Sequence, residues 1–257
     1  MDAPTSPQRA RRKSCPSLGT PASVSALVSP AGEVIVMKVP RRIGWSGALL
    51  PVVVAVLLAT AVPAQAATVV AVWNMDGSGS TMVDSSGRGH NGKLHNVTAL
   101  GSNYGFTKKP AYVTVPSHAD FAPGTGNFKI SMSVRFSAVP SASVVDYDLL
   151  RKGLSGTAGG NYKVEILRSG RAFCVFGGSA GTVSITNGPN LANNQWHRIT
   201  CARTGNTVVL TVDGGTWSKS GSIGSISNSS TVFIGAKDSG GGDQYSGLMD
   251  SVTVTKG

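Results

Sequence analysis

The clearest pattern in this chain is the alternation of apolar and polar residues over short segments. In FKISMSVRF, every second residue from Phe128 to Phe136 is apolar, and the residues between them are Lys, Ser or Arg. Successive side chains of a β-strand point to opposite faces, so this segment is predicted to be a half-buried antiparallel strand.

Comparable segments recur roughly every 8–15 residues, and helical periodicity is almost absent. They are AYVTVP, YKVEIL, RAFCVF, TVSIT, WHRITCAR, TVVLTVDG, TVFIGA and LMDSVTVT, separated by turn sequences such as PGTGN, LSGTAGG and KDSGGGD. Many short strands joined by glycine-rich turns, with 33 glycines in the chain, predict an all-β fold. An antiparallel two-sheet sandwich or jelly roll is the expected architecture for residues 67–257.

The first 66 residues have a different character. Residues 1–36 are rich in Pro, Ser, Ala and Arg without periodicity, which predicts disorder. Residues 37–66 resemble a signal peptide: Lys38 and Arg41-Arg42 precede an apolar core at 48–62, and Ala64-Gln65-Ala66 is a small-x-small cleavage pattern. Secretion is therefore expected, with Met37 as a possible true start. The alternative is an uncleaved anchor, for which this core is short.

Secretion determines how the charge and the cysteines are interpreted. The formal charge is +11 for the chain and +6 after residue 66, without a basic cluster interleaved with aromatic residues, so nucleic acid is not the predicted partner. In an oxidising compartment, Cys174 and Cys201 are most simply a disulfide. A metal pair or a reactive thiol would need ligands at spacings that the sequence does not show.

Three segments resemble laminin-G-like, concanavalin A-like jelly-roll domains of the secreted bacterial type. They are WNMDGSGSTMVDSSGRGHNGKLHNV, NNQWHRITCARTGNTVVLTVDGG and IGAKDSGGGDQYSGLMDSVTVTKG, in the order that this family shows. The resemblance implies a two-sheet jelly roll over residues 67–257. It is less specific for function, because this fold occurs in lectins, adhesion modules and glucanases.

The glycine-rich segment after Trp73 raises the question of a bound ion. It is not followed by a helix or by GK[ST], which argues against a phosphate loop. A Ca²⁺ ion takes carboxylate and carbonyl oxygens, and Asp76 and Asp84 flank a turn that could supply both. The resemblance brings Asp250 of the last strand alongside them, so these three aspartates form a hypothetical structural calcium site. The alternative is that Asp84 organises an Asx-type turn and Asp250 caps backbone groups.

Aromatic residues suggest where a ligand could bind. Trp73 and Trp196 lie in hydrophobic strand sequence and are predicted to be core. Trp217 and Tyr245 lie in polar, glycine-rich sequence, and rings in such positions often stack on sugars. These two rings, together with Asp238 and Asp243, are predicted to form a ligand-binding rim; the alternative is that the rings seal the end of the sandwich.

The motifs of common enzyme classes are not found. Only one Glu, Glu165, follows the signal peptide, and Asp146 and Asp148 are the single carboxylate pair at strand spacing; no GxSxG or HExxH occurs. We therefore expect a secreted non-catalytic module that binds a polysaccharide or glycan. An extracellular protein-interaction or cell-envelope module is the first alternative, and a glycoside hydrolase or lyase of the same fold is the second.

Overall fold

The structure is a computed structural model that describes residues 66–257 and, separately, a short antiparallel pair formed by β1 (Leu27–Val28) and β2 (Val34–Ile35). The chain divides into two compact units, residues 1–60 and 61–257. The predicted signal peptide lies outside the described residues except for its last position. The pair β1–β2 is the one element that the structure describes within the segment predicted to be disordered.

The second unit is built almost entirely of β-strands. In chain order they are β3 (Thr68–Trp73), β4 (Thr81–Met82), β5 (Gly92–His95), β6 (Thr98–Ala99), β7 (Tyr104–Gly105), β8 (Tyr112–Val115), β9 (Phe128–Arg135), β10 (Asp146–Lys152), β11 (Asn161–Leu167), β12 (Ala172–Gly178), β13 (Gly181–Asn187), β14 (His197–Thr204), β15 (Thr207–Val212), β16 (Gly215–Ser220), β17 (Val232–Ile234) and β18 (Leu248–Lys256). A short 3₁₀ helix, Ala119–Phe121, follows β8.

The strands form two antiparallel sheets. One sheet, called here the groove sheet, has the order β13-β12-β11-β10-β17-β8-β5-β4. The other, the back sheet, has the order β16-β15-β14-β9-β18-β7-β6, and β3 also pairs with β18. The two inner faces enclose one apolar core, so the predicted all-β, two-sheet jelly-roll sandwich is confirmed.

The alternation read from the sequence determines which residues enter this core. In β9, Phe128, Ile130, Met132 and Val134 are all at most 1% exposed, whereas Lys129 is exposed. Burial of such a side chain contributes about 1.5–3 kcal/mol, so the apolar faces of the two sheets hold the sandwich together.

The disulfide joins the two sheets across the core. Cys174 in β12 and Cys201 in β14 are both buried, with their Cα atoms 5.5 Å apart. The predicted pairing is confirmed. Because one cysteine lies in each sheet, the bond fixes the groove sheet to the back sheet directly beneath the outer surface of β12.

Within the described residues, no helix has the length and apolar character that crossing a membrane requires.

Candidate functional site

Asp84 organises the opening loop, which comprises residues 74–91. Its Oδ1 accepts hydrogen bonds from the backbone N–H groups of Val72 at 3.0 Å and Ser86 at 2.9 Å. Its Oδ2 accepts from the Ser86 hydroxyl at 2.8 Å and from the N–H of His90 at 2.9 Å. The Asp84 carboxylate therefore connects β3 to the loop at Ser86 and at His90.

The electrostatics of Asp84 agree with this structural role. Burial alone would raise the pKa of Asp84, but the donors of Val72, Ser86 and His90 outweigh it and lower that pKa. A carboxylate saturated by fixed N–H groups has little capacity left for an ion. The turn-organising alternative described above therefore accounts for Asp84.

The structure does not gather the three predicted calcium ligands. Asp76 is exposed and Asp250 is half-buried. Two other clusters within residues 66–257 do place their ligand atoms within 4.8 Å of one another. One consists of Asp146, Asp148 and Asp243, and the other of His90, His118 and Asp120. The predicted calcium site at Asp76, Asp84 and Asp250 is therefore wrong. The hydrogen bonds of the Asp84 carboxylate are already satisfied by the protein, and the three carboxylates do not converge.

The predicted ligand-binding rim around Trp217 and Tyr245 is also wrong. Tyr245 is 0% exposed, and its hydroxyl donates to the backbone carbonyl of Leu248 at 2.8 Å and lies 3.0 Å from that of Arg135. It seals the core and cannot contact a ligand. Trp196, predicted to be core, directly precedes β14 and is 41% exposed instead.

The other predicted rim residues do not form one rim with Tyr245. Trp217 is half-buried on the edge strand β16 and packs against the core. Asp238 is exposed, and its Oδ1 accepts the N–H groups of Gly240 at 2.9 Å and Gly242 at 3.2 Å. Asp243 follows in the same loop and belongs to the carboxylates described below.

A groove of about 700 Å³ lies on the outer face of the groove sheet. Cross-strand neighbours on this face form the rows Glu165–Phe173, Lys163–Val175–Ser184 and Asn161–Gly177–Thr182. Phe173 is half-buried, and the ammonium of Lys163 lies 5.8 Å from the centre of its ring. The floor thus carries one accessible aromatic ring between rows of charged and hydroxyl side chains.

A glycine-rich loop closes one end of this groove. Its residues Ser155, Gly156, Thr157, Gly159 and Gly160 line the cavity. Gly159 has φ +83°, and a Cβ at this position would collide with the carbonyl of Ser227. A glycine is required there because the loop passes directly over another backbone segment.

Four carboxylates converge beside the groove and are called here the acidic ridge: Asp146, Asp148, Glu165 and Asp243. Asp148 is the register partner of Glu165 across β10 and β11. Its backbone N–H donates to the carbonyl of Asp243 at 2.8 Å, which fixes the loop before β18 against β10. A β-bulge between Asp148 and Leu150 brings Arg151 back to the outer face.

Basic side chains neutralise the ridge only in part. Arg151 Nη1 donates to Asp148 Oδ2 at 2.7 Å, and Lys237 Nζ lies 3.2 Å from Asp243 Oδ2. Lys163 pairs with Glu165. Four carboxylates thus face three cations, and the Oδ1 atoms of Asp146 and Asp148 are buried without a hydrogen-bond partner among the described residues.

This imbalance alters the protonation of the ridge. Burial, reinforced by the charge of Glu165, raises the pKa of Asp146 to about 6. Burial likewise raises the pKa of Asp148 to about 8, although Arg151 acts in the opposite direction. Without a further cation, the ridge therefore retains a proton at neutral pH.

The donor set of the ridge fits a hard divalent cation. Asp146, Asp148 and Asp243 each place a carboxylate oxygen within 4.8 Å of the others. Calcium prefers carboxylate and carbonyl oxygens, and two buried oxygens here have no other partner.

The family of the chain is apparent once this sandwich has been described. Residues 107–257 match a laminin G type family model described as the concanavalin A-like lectin/glucanases superfamily. The chain belongs to this superfamily. The resemblance recognised in the three sequence segments is thus confirmed, and the match includes both the groove and the acidic ridge. No curated protein matches the chain by sequence.

Solved structures with a similar fold include binding domains and an enzyme. The binding domain of Paraclostridial Mosquitocidal Protein 1 has 16% identity and a TM-score of 0.60, with 74% of this chain and 49% of that chain covered. A botulinum neurotoxin type C structure, titled for the dependence of cell entry on two ganglioside molecules, has 15% identity and a TM-score of 0.52, over 73% of this chain and 47% of that chain.

A Trypanosoma rangeli sialidase in complex with sialic acid has 16% identity and a TM-score of 0.54, over 74% of this chain and 30% of that chain. At these identities the likeness shows the fold of the lectin/glucanase superfamily and no more. The chain spans about half the length of the toxin chains and less of the sialidase.

The ridge and the groove were only partly visible in the sequence. The sequence pairs Asp146 with Asp148 at strand spacing, but their convergence with Glu165 depends on the β10–β11 register and on the bulge at Asp148. The alternation in YKVEIL and RAFCVF did contain a signal for the outer face. Lys163, Glu165 and Phe173 all fall on the strand positions that do not face the core.

Proposed function

We propose that residues 67–257 form a secreted, non-catalytic carbohydrate-binding module that holds a glycan in the groove of the groove sheet. The observation that carries this proposal is Phe173, a half-buried ring on the groove floor with charged and hydroxyl side chains on both sides. What the whole chain binds and does is part of the same proposal.

The chemistry of the groove suits a sugar. A pyranose has an apolar face that packs on an aromatic ring, and hydroxyls that need both donors and acceptors. Phe173 and Val175 supply the apolar floor, and Asn161, Lys163 and Thr182 supply the polar groups. The groove is open to solvent, which suits a segment of a long polymer better than an enclosed small molecule.

The structural relatives support a glycan as the ligand class. The neurotoxin structure is titled for gangliosides and the sialidase structure for sialic acid. Both of these ligands contain sugar. The disulfide and the predicted signal peptide support an extracellular location for this module.

We include a structural calcium ion in this proposal and place it on the acidic ridge. Asp146, Asp148 and Asp243 would hold the ion through their carboxylates. A bound cation would neutralise the ridge and hold the loop around Asp243 against β10. Asp146 also lines the groove, so the ion would stiffen one wall of the binding surface.

The test is retention of the purified chain on a panel of insoluble and soluble polysaccharides, with Ca²⁺ and with EDTA. The variant Phe173→Ala should lose about tenfold in affinity, since an aromatic contact of this kind contributes roughly 1 kcal/mol or more. Trp196→Ala is the matched control, because this exposed ring lies outside the groove, and it should bind as the wild type does.

Retention that Trp196→Ala abolishes and Phe173→Ala preserves would move the site away from the groove. Failure to retain any glycan in either buffer would overturn the carbohydrate proposal. The extracellular protein-interaction module would then become the leading function.

A glycoside hydrolase is the second candidate, favoured by the pairing of Asp148 with Glu165 and by two carboxyls with raised pKa values. It ranks second because Asp148 is 0% exposed and bonded to Arg151, so its carboxyl does not face a substrate. Release of reducing ends from a retained polysaccharide, abolished in Glu165→Gln, would promote this candidate over the binding module.

A further inference from the structure

We propose that His90, His118 and Asp120 form a binding site for a d-block divalent cation of the Zn²⁺ class, separate from the groove and from the acidic ridge. Nε2 of His90 lies 2.9 Å from Oδ2 of Asp120, and Nδ1 of His118 lies 3.5 Å from the same oxygen. The three ligand atoms all lie within 4.8 Å of one another.

These distances suit a tetrahedral metal. With Zn–N and Zn–O bonds of about 2.0–2.2 Å, the ligand atoms of a tetrahedral site are about 3.4 Å apart. The two measured separations lie on either side of this value. The third separation, between the two imidazole nitrogens, is within 4.8 Å, so side-chain movements that bring the rings together would place an ion between the three atoms.

The donor set is selective for borderline metals. Imidazole nitrogen suits Zn²⁺, Cu²⁺ and Ni²⁺, whereas Ca²⁺ and Mg²⁺ prefer oxygen. The two clusters of this domain thus divide by chemistry: the acidic ridge offers carboxylates alone, and this site offers two imidazoles and one carboxylate.

His90 is held in place before any ion arrives. It is 9% exposed, and its ring packs 4.8 Å from the ring of Phe121. Its N–H donates to Asp84 Oδ2, and its carbonyl accepts the indole N–H of Trp73 at 2.8 Å. A ligand fixed by both backbone groups and by ring packing loses little freedom on binding a metal.

His118 presents the nitrogen that a metal needs. It precedes the 3₁₀ helix, and the lone pair of its Nδ1 accepts the N–H of Asp120 at 3.1 Å, so an ion on Nδ1 would replace this capping hydrogen bond. An ion on His90 Nε2 would replace the hydrogen bond between Nε2 and Asp120 Oδ2, and the ring proton of the neutral imidazole would then lie on Nδ1.

The site also has room for a fourth ligand. A cavity of about 270 Å³ lies against the two histidines and is lined by Arg88, Asn91 and Ser117 as well. Arg88 Nη1 lies 3.2 Å from Asp120 Oδ2 and would oppose a cation, but its side chain is 40% exposed and can turn to solvent. Three protein ligands with one open position are typical of an accessible zinc site.

The alternative is a hydrogen-bond network without a metal, and one variant separates the two. His118→Asn removes the imidazole but keeps an acceptor for the N–H of Asp120, since Asn is a favourable capping residue. A purely structural network would therefore be little affected. Asp120→Asn removes the carboxylate charge, and His95→Asn is the matched control, because His95 stacks on Tyr112 outside the cluster.

The experiment is a titration of the metal-free full chain, purified without a polyhistidine tag, with Zn²⁺ by calorimetry. Co²⁺ absorption reports the coordination geometry. One equivalent of Zn²⁺ should bind the wild type and His95→Asn and raise their melting temperature. His118→Asn and Asp120→Asn should bind at least about 100-fold more weakly, and the melting temperature of metal-free His118→Asn should equal that of the wild type.

Tetrahedral Co²⁺ bands should appear in the wild type and disappear in His118→Asn. Absence of Zn²⁺ binding by the wild type, or equal binding by the wild type and both cluster variants, would overturn the proposal. A response to Ca²⁺ that persists in these variants would belong to the acidic ridge and leave the zinc result unchanged.

Discussion

Two buried aspartates of this domain are in opposite electrostatic environments. Asp84 in the opening loop accepts hydrogen bonds from three backbone N–H groups and one hydroxyl, and its pKa is lowered. Asp148 on the acidic ridge has one ionic partner, Arg151, and one oxygen without a partner, and its pKa is raised to about 8.

Asp148 is the more deeply buried of the two, at 0% exposed against 7% for Asp84, and it also has fewer fixed donors. A carboxylate that the backbone saturates is part of the architecture, whereas one that the fold leaves short of donors is free to bind a proton or a cation. The comparison therefore gives Asp84 a structural role and leaves the carboxylates of the acidic ridge able to bind a proton or a cation.

The largest expected effect tests the structural half of the comparison. Asp84→Ala should lower the free energy of unfolding by about 4 kcal/mol, because three N–H groups lose their acceptor at roughly 1–3 kcal/mol each. Urea denaturation at pH 7 measures this. Asp76→Ala in the same loop is the control and should change stability by less than about 0.5 kcal/mol. Equal effects for the two variants would refute the role given to Asp84.

Removing the disulfide tests whether the groove sheet and the opening loop unfold independently. Replacing Cys174 and Cys201 together by Ser should lower stability by about 3.5 kcal/mol, as expected for a bond that closes a loop with a sequence separation of 27. Hydrogen exchange should increase first in β12 and the neighbouring strands below the groove. Faster exchange in the opening loop instead would mean that the two regions do not unfold independently.

The pH dependence separates the two aspartates by sign. In calcium-free buffer, stability should fall by at least about 1 kcal/mol as the pH rises from about 4 to about 8, because Asp146 and Asp148 hold protons in the folded state that the unfolded state has released. Thermal unfolding across this range measures the slope.

Outside this range, other groups take over. Asp84, with a lowered pKa, stabilises the fold above the unfolded value of about 3.9, and this contribution is lost as the pH falls through the folded pKa. Burial lowers the pKa of Lys152 to about 8, so its contribution favours the fold as the pH rises from about 8 towards 10.5. A stability that rises between pH 5 and 8 without calcium would contradict the account of the ridge.

The smallest expected change in stability tests the role of Asp148 on the acidic ridge. Asp148→Asn should change stability by less than about 1 kcal/mol at pH 7, because the amide oxygen still accepts from Arg151 and because Asp148, with a pKa of about 8, already holds a proton at this pH. Its stabilisation by Ca²⁺ should disappear. A loss as large as that of Asp84→Ala would show that Asp148 is structural too.

Particular residues show how far the sequence could be followed. The alternation from Phe128 to Phe136 correctly assigned β9 and its buried face, and two cysteines in an oxidising context correctly gave the disulfide. Tyr245 was misassigned because its glycine-rich surroundings suggested exposure. In the structure, its hydroxyl donates to the backbone carbonyl of Leu248 and lies 3.0 Å from that of Arg135, and the ring fills the core.

The sequence by itself determined the strands, their inward faces, the two-sheet sandwich and the cross-sheet disulfide, because these follow from local alternation and from residue type. Only the tertiary structure decided which carboxylates meet. Asp148 faces Glu165 through strand register and approaches Asp243 through a loop returning from the end of the chain, and His90 meets His118 across two connections. Such contacts join residues far apart in the chain, and their position depends on register and bulges that alternation does not encode.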